Sequence, residues 1–181
     1  IVEVELKQWH KITLTIPGPE TSEWDKKNPY LDYELEVTFS KGDRSFTVPG
    51  YFAADGNAAE TSAEKGNSWK VHFRPDETGE WTYRISFLEG ENIVVKDNHD
   101  SANSLPANGK TGTLQVGETD KTGTDFRSKG RIINGGSGYF KFQGTGETWI
   151  KNGADSPENF LAYADFDQTS RFSLKSEVRE G

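Results

Sequence analysis

The 181-residue chain contains no cysteine and no methionine. The first absence excludes disulfides, thiolate nucleophiles and cysteine-built zinc sites together, and it leaves the redox compartment open. The second, in a chain that begins at Ile1, is what a mature chain freed of its signal or a piece of a longer protein would show, and a piece is the expectation here. No apolar run nears the roughly 18 residues of a membrane-crossing helix, and the mean hydropathy of −0.79 agrees. Positive charge is also short: 21 Lys and Arg stand against 29 Asp and Glu, a net charge of −8, with no basic run. Such a field repels phosphate backbones and anionic lipid, so neither nucleic acid nor a membrane is an expected partner. The histidines, His10, His72 and His99, are scattered, and neither HExxH spacing nor a serine-elbow motif occurs.

Apolar residues make up only 32% of the chain, yet 11 Phe, 6 Tyr and 5 Trp bring aromatics to 12%. A few large core residues suit a thin sandwich better than a helical bundle. Val2, Val4 and Leu6, then Ile12, Leu14 and Ile16, alternate with polar residues, which places one set on each face of a strand. Pro17-Gly18-Pro19 is expected to end that strand, since proline cannot donate to the ladder. Tyr33, Leu35, Val37 and Phe39, the turn Lys41-Gly42-Asp43, then Phe46 and Val48 read as a hairpin. Residues 53–67 read as a long loop. Trp69, Val71 and Phe73, a turn at Asp76-Glu77-Thr78-Gly79, then Trp81, Tyr83, Ile85 and Phe87 read as a second hairpin, with Trp69 and Trp81 in phase with the core positions.

Further on, 97–110 reads as loop, 113–116 as a short strand and 117–124 as a polar linker. Short strands around Ile132-Ile133, Tyr139–Phe142 and Thr148–Ile150 cross corners at Gly135-Gly136 and Gly144-Thr145-Gly146. Only Pro157–Tyr163 offers a turn or two of helix. The pattern predicts an all-β chain: an immunoglobulin-like antiparallel β-sandwich over residues 1–118, followed over 119–181 by a C-terminal linker segment with short strands that can dock on the sandwich.

Several motifs, in order and spacing, carry a family likeness: Trp9-His10, Gly18-Pro19-Glu20, Asn28-Pro29-Tyr30-Leu31-Asp32-Tyr33, Val48-Pro49-Gly50-Tyr51-Phe52, the run from Trp69 to Pro75, and Thr78-Gly79-Glu80-Trp81-Thr82-Tyr83. With these the chain resembles the bacterial domain of unknown function numbered 5060, an immunoglobulin-like module at the N-terminus of secreted proteins assigned as glycoside hydrolases. The run from Ile150 to Asp167 is similar to the segment that joins this module to a (β/α)8 catalytic barrel. The resemblance implies a bacterial, secreted or cell-surface accessory module whose catalytic partner lies outside these 181 residues. The sequence departs from the family at Ala53-Ala54-Asp55-Gly56-Asn57, where an acidic Asp-Gly-Asp-Gly turn is common.

Sugar recognition needs flat aromatic faces beside carboxylates, amides and guanidinium groups that bind hydroxyls. Trp24 lies in the polar stretch 22–27 with no strand pattern to bury it; it is either a sugar platform or a lid on the sandwich. Tyr51, Phe52, Asp55 and Asn57 form a second cluster, against the reading of a buried corner and a solvated turn. Trp149, Lys151, Asn152, Asp155, Glu158 and Asn159 form the densest polar and aromatic group, read either as a docked linker or as a contributor to a barrel's substrate cleft.

Asp155 with Glu158, or Asp165 with Asp167, offer carboxylate pairs for glycoside hydrolysis, but among 29 acidic residues such pairs arise by chance. No catalysis by this chain alone is expected, and no cofactor. Asp165 and Asp167, with Asp55 and Asn57, are the candidates for a structural calcium, without an EF-hand loop. The expectation is a monomeric carbohydrate-binding module with agarose, carrageenan or a plant cell-wall polymer as ligand and a catalytic barrel as neighbour. A purely structural domain and an incomplete catalytic fragment are the alternatives.

Overall fold

The structure, a computed structural model, describes residues 2–3, 5–136, 138–150 and 153. Its strands run, in chain order, β1 (Val2–Glu3), β2 (Ile12–Ser22), β3 (Tyr33–Lys41), β4 (Arg44–Pro49), β5 (Tyr51–Phe52), β6 (Lys65–Phe73), β7 (Gly79–Glu89), β8 (Asn103–Ser104), β9 (Thr111–Val116), β10 (Ile132–Asn134), β11 (Phe140–Phe142) and β12 (Thr148–Trp149). One sheet has the order β1-β2-β6-β5; the second runs β4-β3-β7, with β8 and β9 both on β7; a third is β10-β11-β12. Every pairing within these sheets is antiparallel. The first two sheets form the sandwich.

The alternation read from the sequence is what builds this core. Along β3 the side chains of Tyr33, Leu35, Val37 and Phe39 are buried and those between them half-buried, because successive side chains on a strand point to opposite faces. Trp69, Val71 and Phe73 from β6 meet Trp81, Ile85 and Phe87 from β7 in the same cluster, which confirms Trp69 and Trp81 as core. Each such large apolar side chain contributes about 1.5–3 kcal/mol by leaving water.

Three local expectations change. The Trp69–Phe73 and Trp81–Phe87 runs are not a hairpin: β6 pairs with β2 and β5, whereas β7 pairs with β3, β8 and β9. Alternation reports which residues face the core, and it is the same for a neighbouring strand as for a strand in the facing sheet. β2 does not stop at Pro17; it continues to Ser22, its register with β6 shifting between Pro17 and Thr21. The bulge absorbs Gly18-Pro19-Glu20 without needing the missing proline donors, and a Cβ on Gly18 would stand 2.3 Å from Cδ1 of Trp69. The stretch 53–67 is not all loop, since it holds a single helical turn, α1 (Ala58–Thr61), and the start of β6.

Between β4 and β5 the chain passes from one sheet to the other at Gly50, whose N–H donates to the Leu35 carbonyl at 2.7 Å. A Cβ there would lie 2.4 Å from Leu35 Cδ2 and 2.9 Å from Val71 Cγ2. Only glycine lets the crossing strand sit this close to the core.

Contacts made by Trp9 and Asp76 tie the β10–β12 sheet to the sandwich. The buried indole of Trp9 lies against the corners at Gly130 and Gly144, where an added Cβ would come within 3.1 and 3.4 Å of it. Asp76, in the turn between the sheets, has its side chain 1% exposed and offers Oδ2 both to Arg44, at 2.6 Å, and to Arg131. Burial alone would raise its pKa, but hydrogen bonds and charge from Arg44 and Arg131 outweigh it and hold the carboxyl below the ordinary aspartate value.

Replacing Gly50→Ala forces Leu35 and Val71 to move and destabilises the fold by about 1–3 kcal/mol; an unchanged urea midpoint would contradict the crossing described. Asp76→Asn costs about 2–3 kcal/mol at neutral pH. Because the folded carboxyl is the more acidic one, its stabilisation is complete above the unfolded value of about 3.9 and drains away as pH falls through the folded value. The urea-midpoint gap between wild type and Asp76→Asn is therefore constant near neutrality and narrows in acid; a gap that stays constant in acid would rule the charge effect out.

Candidate functional site

The Gly50 crossing leaves a cleft at the edge of the sandwich. Its walls come from four separate segments: Tyr30 from the turn before β3, Glu34 and Glu36 from the outer face of β3, Pro49 and Tyr51 from either side of Gly50, and Val94 from the 3-10 turn Ile93–Val95. Trp69 reaches it from the core, and the volume of the open cleft is about 230 Å³.

Asp32 assembles these segments. Its Oδ2 accepts the N–H of Asn28 at 2.8 Å, and its Oδ1 accepts that of Asn92 at 2.7 Å. The Leu31 carbonyl accepts the Val94 N–H at 3.2 Å. One carboxylate thus sets the turn carrying Tyr30 against the turn carrying Val94.

Both tyrosines show a face to solvent and are fixed at the hydroxyl. Tyr30 donates to Glu23 Oε1 at 2.8 Å, and its ring meets Phe52 edge-on with centroids 6.4 Å apart. Desolvation at the cleft wall, and then the Glu23 carboxylate, push its pKa up to about 12. The Tyr51 hydroxyl lies 2.9 Å from His72 Nε2, and His72 Nδ1 lies 2.9 Å from the buried Thr13 hydroxyl. Burial, followed by Lys11 and Lys70, lowers the His72 pKa, and burial raises that of Tyr51. A neutral imidazole donates at one nitrogen and accepts at the other, so Tyr51, His72 and Thr13 form one hydrogen-bonded chain. Glu34 is raised by burial, which the His99 ring at 3.4 Å partly offsets and Glu36 reinforces.

Of the residues expected at a site, Trp24 is 77% exposed, and its Nε1–H donates to Glu64 Oε2 at 2.9 Å. Since Glu23, next to it, holds Tyr30, Trp24 follows directly on the loop that anchors one wall of the cleft. Tyr51 lines the cleft; Asp55 and Asn57 do not. Asp55 is spent on its own loop, accepting the Asn57 N–H at 2.7 Å and the Thr61 hydroxyl at 2.7 Å, which lowers its pKa. Trp149 sits half-buried in β12 with its ring edge-on to Phe140 at 6.0 Å. Lys151, Asn152, Asp155, Glu158, Asn159, Asp165 and Asp167 lie outside the described residues.

Glu34, Glu36 and Val94 were not singled out in the sequence, and Tyr30 entered only as part of the Asn28–Tyr33 motif. The signal for the two glutamates was present, as the polar partners in the β3 alternation. Among the described residues, Glu5, His10 and Asp120 bring three ligand atoms within 4.8 Å of one another. Lys7 at 2.6 Å and Lys121 at 3.0 Å already neutralise Asp120, and His10 Nδ1 lies 2.9 Å from Glu5. That group works as an ion-pair network joining the first segment to residues 119–121.

The cleft presents two aromatic faces beside two carboxylate acceptors, which suits ring C–H surfaces and hydroxyl donors. Comparison with curated proteins gives no match. Among solved structures, the fold is shared with a protein named "putative glycoside hydrolase" from Bacteroides vulgatus ATCC 8482, with a TM-score of 0.52 and 22% identity over 81% of this chain. The chain spans about a fifth of that protein, 21% of its length. The model of the family described as "Domain of unknown function (DUF5060)" matches residues 5–88, a stretch that holds the Gly50 crossing and all of the cleft except Val94. Over those residues the chain is similar to the DUF5060 family.

Proposed function

We propose that this chain is a non-catalytic carbohydrate-binding module of a secreted bacterial polysaccharide-degrading glycoside hydrolase, and that it binds its polysaccharide in the Tyr30–Tyr51 cleft. The observation that carries the reading is the convergence of two fixed tyrosine faces and the Glu34 and Glu36 carboxylates on one cleft. The name given to the longer protein that shares the fold supports it.

The chemistry favours a neutral chain in the cleft itself, because two carboxylates accept hydroxyl protons and repel acidic groups. Agarose and neutral plant cell-wall polymers fit that requirement best among the candidate ligands. The module needs no metal or cofactor for this. Its effect on the attached enzyme is to raise the local substrate concentration, which matters most on insoluble polymers.

A second reading rests on the C-terminal sheet and the segments that flank it, where Phe126, Ile132, Tyr139, Phe140 and Ile150 are 61%, 41%, 68%, 52% and 71% exposed. So many open apolar groups in one short stretch favour a structural domain that packs against a catalytic barrel.

Affinity electrophoresis through polysaccharide gels separates the two. Binding predicts that one polymer retards the chain and that Tyr51→Ala weakens this about tenfold, with circular dichroism unchanged. Trp24→Ala weakens it less, since Trp24 does not line the cleft. Free migration through every polymer would leave the structural reading.

A further inference from the structure

The outer face of β3 carries Glu34, Glu36, Thr38 and Ser40 in succession, all four half-buried although they face away from the core. Glu34 and Glu36 line the cleft just described. Thr38 and Ser40 line a second groove of about 500 Å³ on the same face, together with Thr82, Arg84, Thr111 and Thr113. The two depressions share one strand and follow one another along it.

The register makes the second groove regular. Thr38 stands between Thr47 on β4 and Arg84 on β7, with Thr111 of β9 beyond; Ser40 stands between Ser45 and Thr82, with Thr113 beyond. Across these two rows seven of eight positions are hydroxyls and one is a guanidinium, in a chain of which 28% is charged. Tyr83, which also lines the groove, reaches it over Gly112, where an added Cβ would lie 2.5 Å from its hydroxyl.

Arg84 is the element that calls for a ligand. Arg44, Arg127 and Arg131 each hold a carboxylate. Arg84 is exposed, and its side chain makes no ion pair or hydrogen bond among the described residues. Arg74 is likewise free but lines a different depression. A guanidinium with five donors, set among hydroxyls, matches an anionic group carried on a polyol. Glu36, one row along β3, and Glu80, past Thr82 on β7, confine that match to the Arg84 row.

We propose that cleft and groove are one track along β3 for a single extended oligosaccharide, neutral over Glu34 and Glu36 and bearing a carboxylate or sulfate group at Arg84. From Glu34 to Ser40 the strand rises about 20 Å, room for about four sugar rings. The proposal rests on the carbohydrate-binding reading and extends it to chain length and charge pattern.

Titration calorimetry on the 181-residue chain tests it, with neutral agaro-oligosaccharides, sulfated carrageenan oligosaccharides and glucuronoxylan oligosaccharides of about two, four and six rings as probes. The expected result is a series in which affinity climbs about tenfold from two rings to four and then levels off, with Arg84→Gln losing about tenfold for the anionic probe and nothing for a neutral one. Which anionic series responds decides between sulfate and carboxylate. Two-ring probes as tight as four-ring ones, or anionic probes indifferent to Arg84→Gln, would overturn the track. In that case binding that is still lost in Tyr51→Ala leaves the cleft reading standing. No binding by any probe overturns both.

Discussion

The parallel stack of Phe39 on Phe73, with ring centroids 4.0 Å apart and planes 5° from parallel, is the contact on which the sandwich turns. Phe39 belongs to one sheet and Phe73 to the other, so the stack sets how closely the sheets approach. Two groups of rings fill the core, one around this stack and one around Trp69. Phe73 meets Trp81 edge-on at 5.1 Å, and Trp69 meets Phe87, Phe52 and Tyr33 at 5.0, 5.3 and 5.4 Å. A chain with few apolar residues and no disulfide concentrates its burial in these large rings. The Gly50 crossing depends on that spacing, and the cleft depends on the crossing.

The division of labour along β3 follows from strand geometry. One set of its side chains supplies the core, and the other set supplies the surface to which function is assigned here. The support behind the site is mostly hydrogen bonding of loops to one another: Asp32 to Asn28 and Asn92, Glu23 to Tyr30, Glu64 to Trp24. These bonds fix aromatic faces before any ligand arrives, which lowers the entropy that binding would otherwise cost.

The all-β antiparallel sandwich and its core were legible in the sequence because alternation records burial directly, as Leu35, Val37, Trp69 and Trp81 show. Sheet membership was not. The turn at Asp76 reads locally like a hairpin turn, and only the distant partners Ile12–Ile16 and Tyr33–Phe39 reveal that it crosses between sheets. Trp24 and Tyr51 stood out as aromatics without a place in the core pattern, and both are exposed. Asp55 and Asn57 looked like ligand groups because their type is right, but type does not disclose that Thr61 and the Asn57 N–H already occupy Asp55. The cleft itself was invisible for a simple reason: its walls come from segments as far apart as Tyr30 and Val94, and although Asp32 lies in the Asn28–Tyr33 motif, nothing local discloses that its carboxylate reaches Asn92.

The different surroundings of the tryptophans have an optical consequence. Trp9, Trp69 and Trp81 are shielded from water, at 5%, 1% and 0% exposure, whereas Trp24 stands in it. Their indoles absorb alike but emit at different wavelengths, so the fluorescence of the native protein is a blue-edge signal from the interior with a red-edge contribution from the Trp24 loop, beside that of the fifth indole, half-buried Trp149 in β12. Quenchers dissolved in the buffer reach the second and spare the first. The molecule therefore carries two built-in reporters, one for the integrity of the fold and one for events beside the cleft, and neither requires a label.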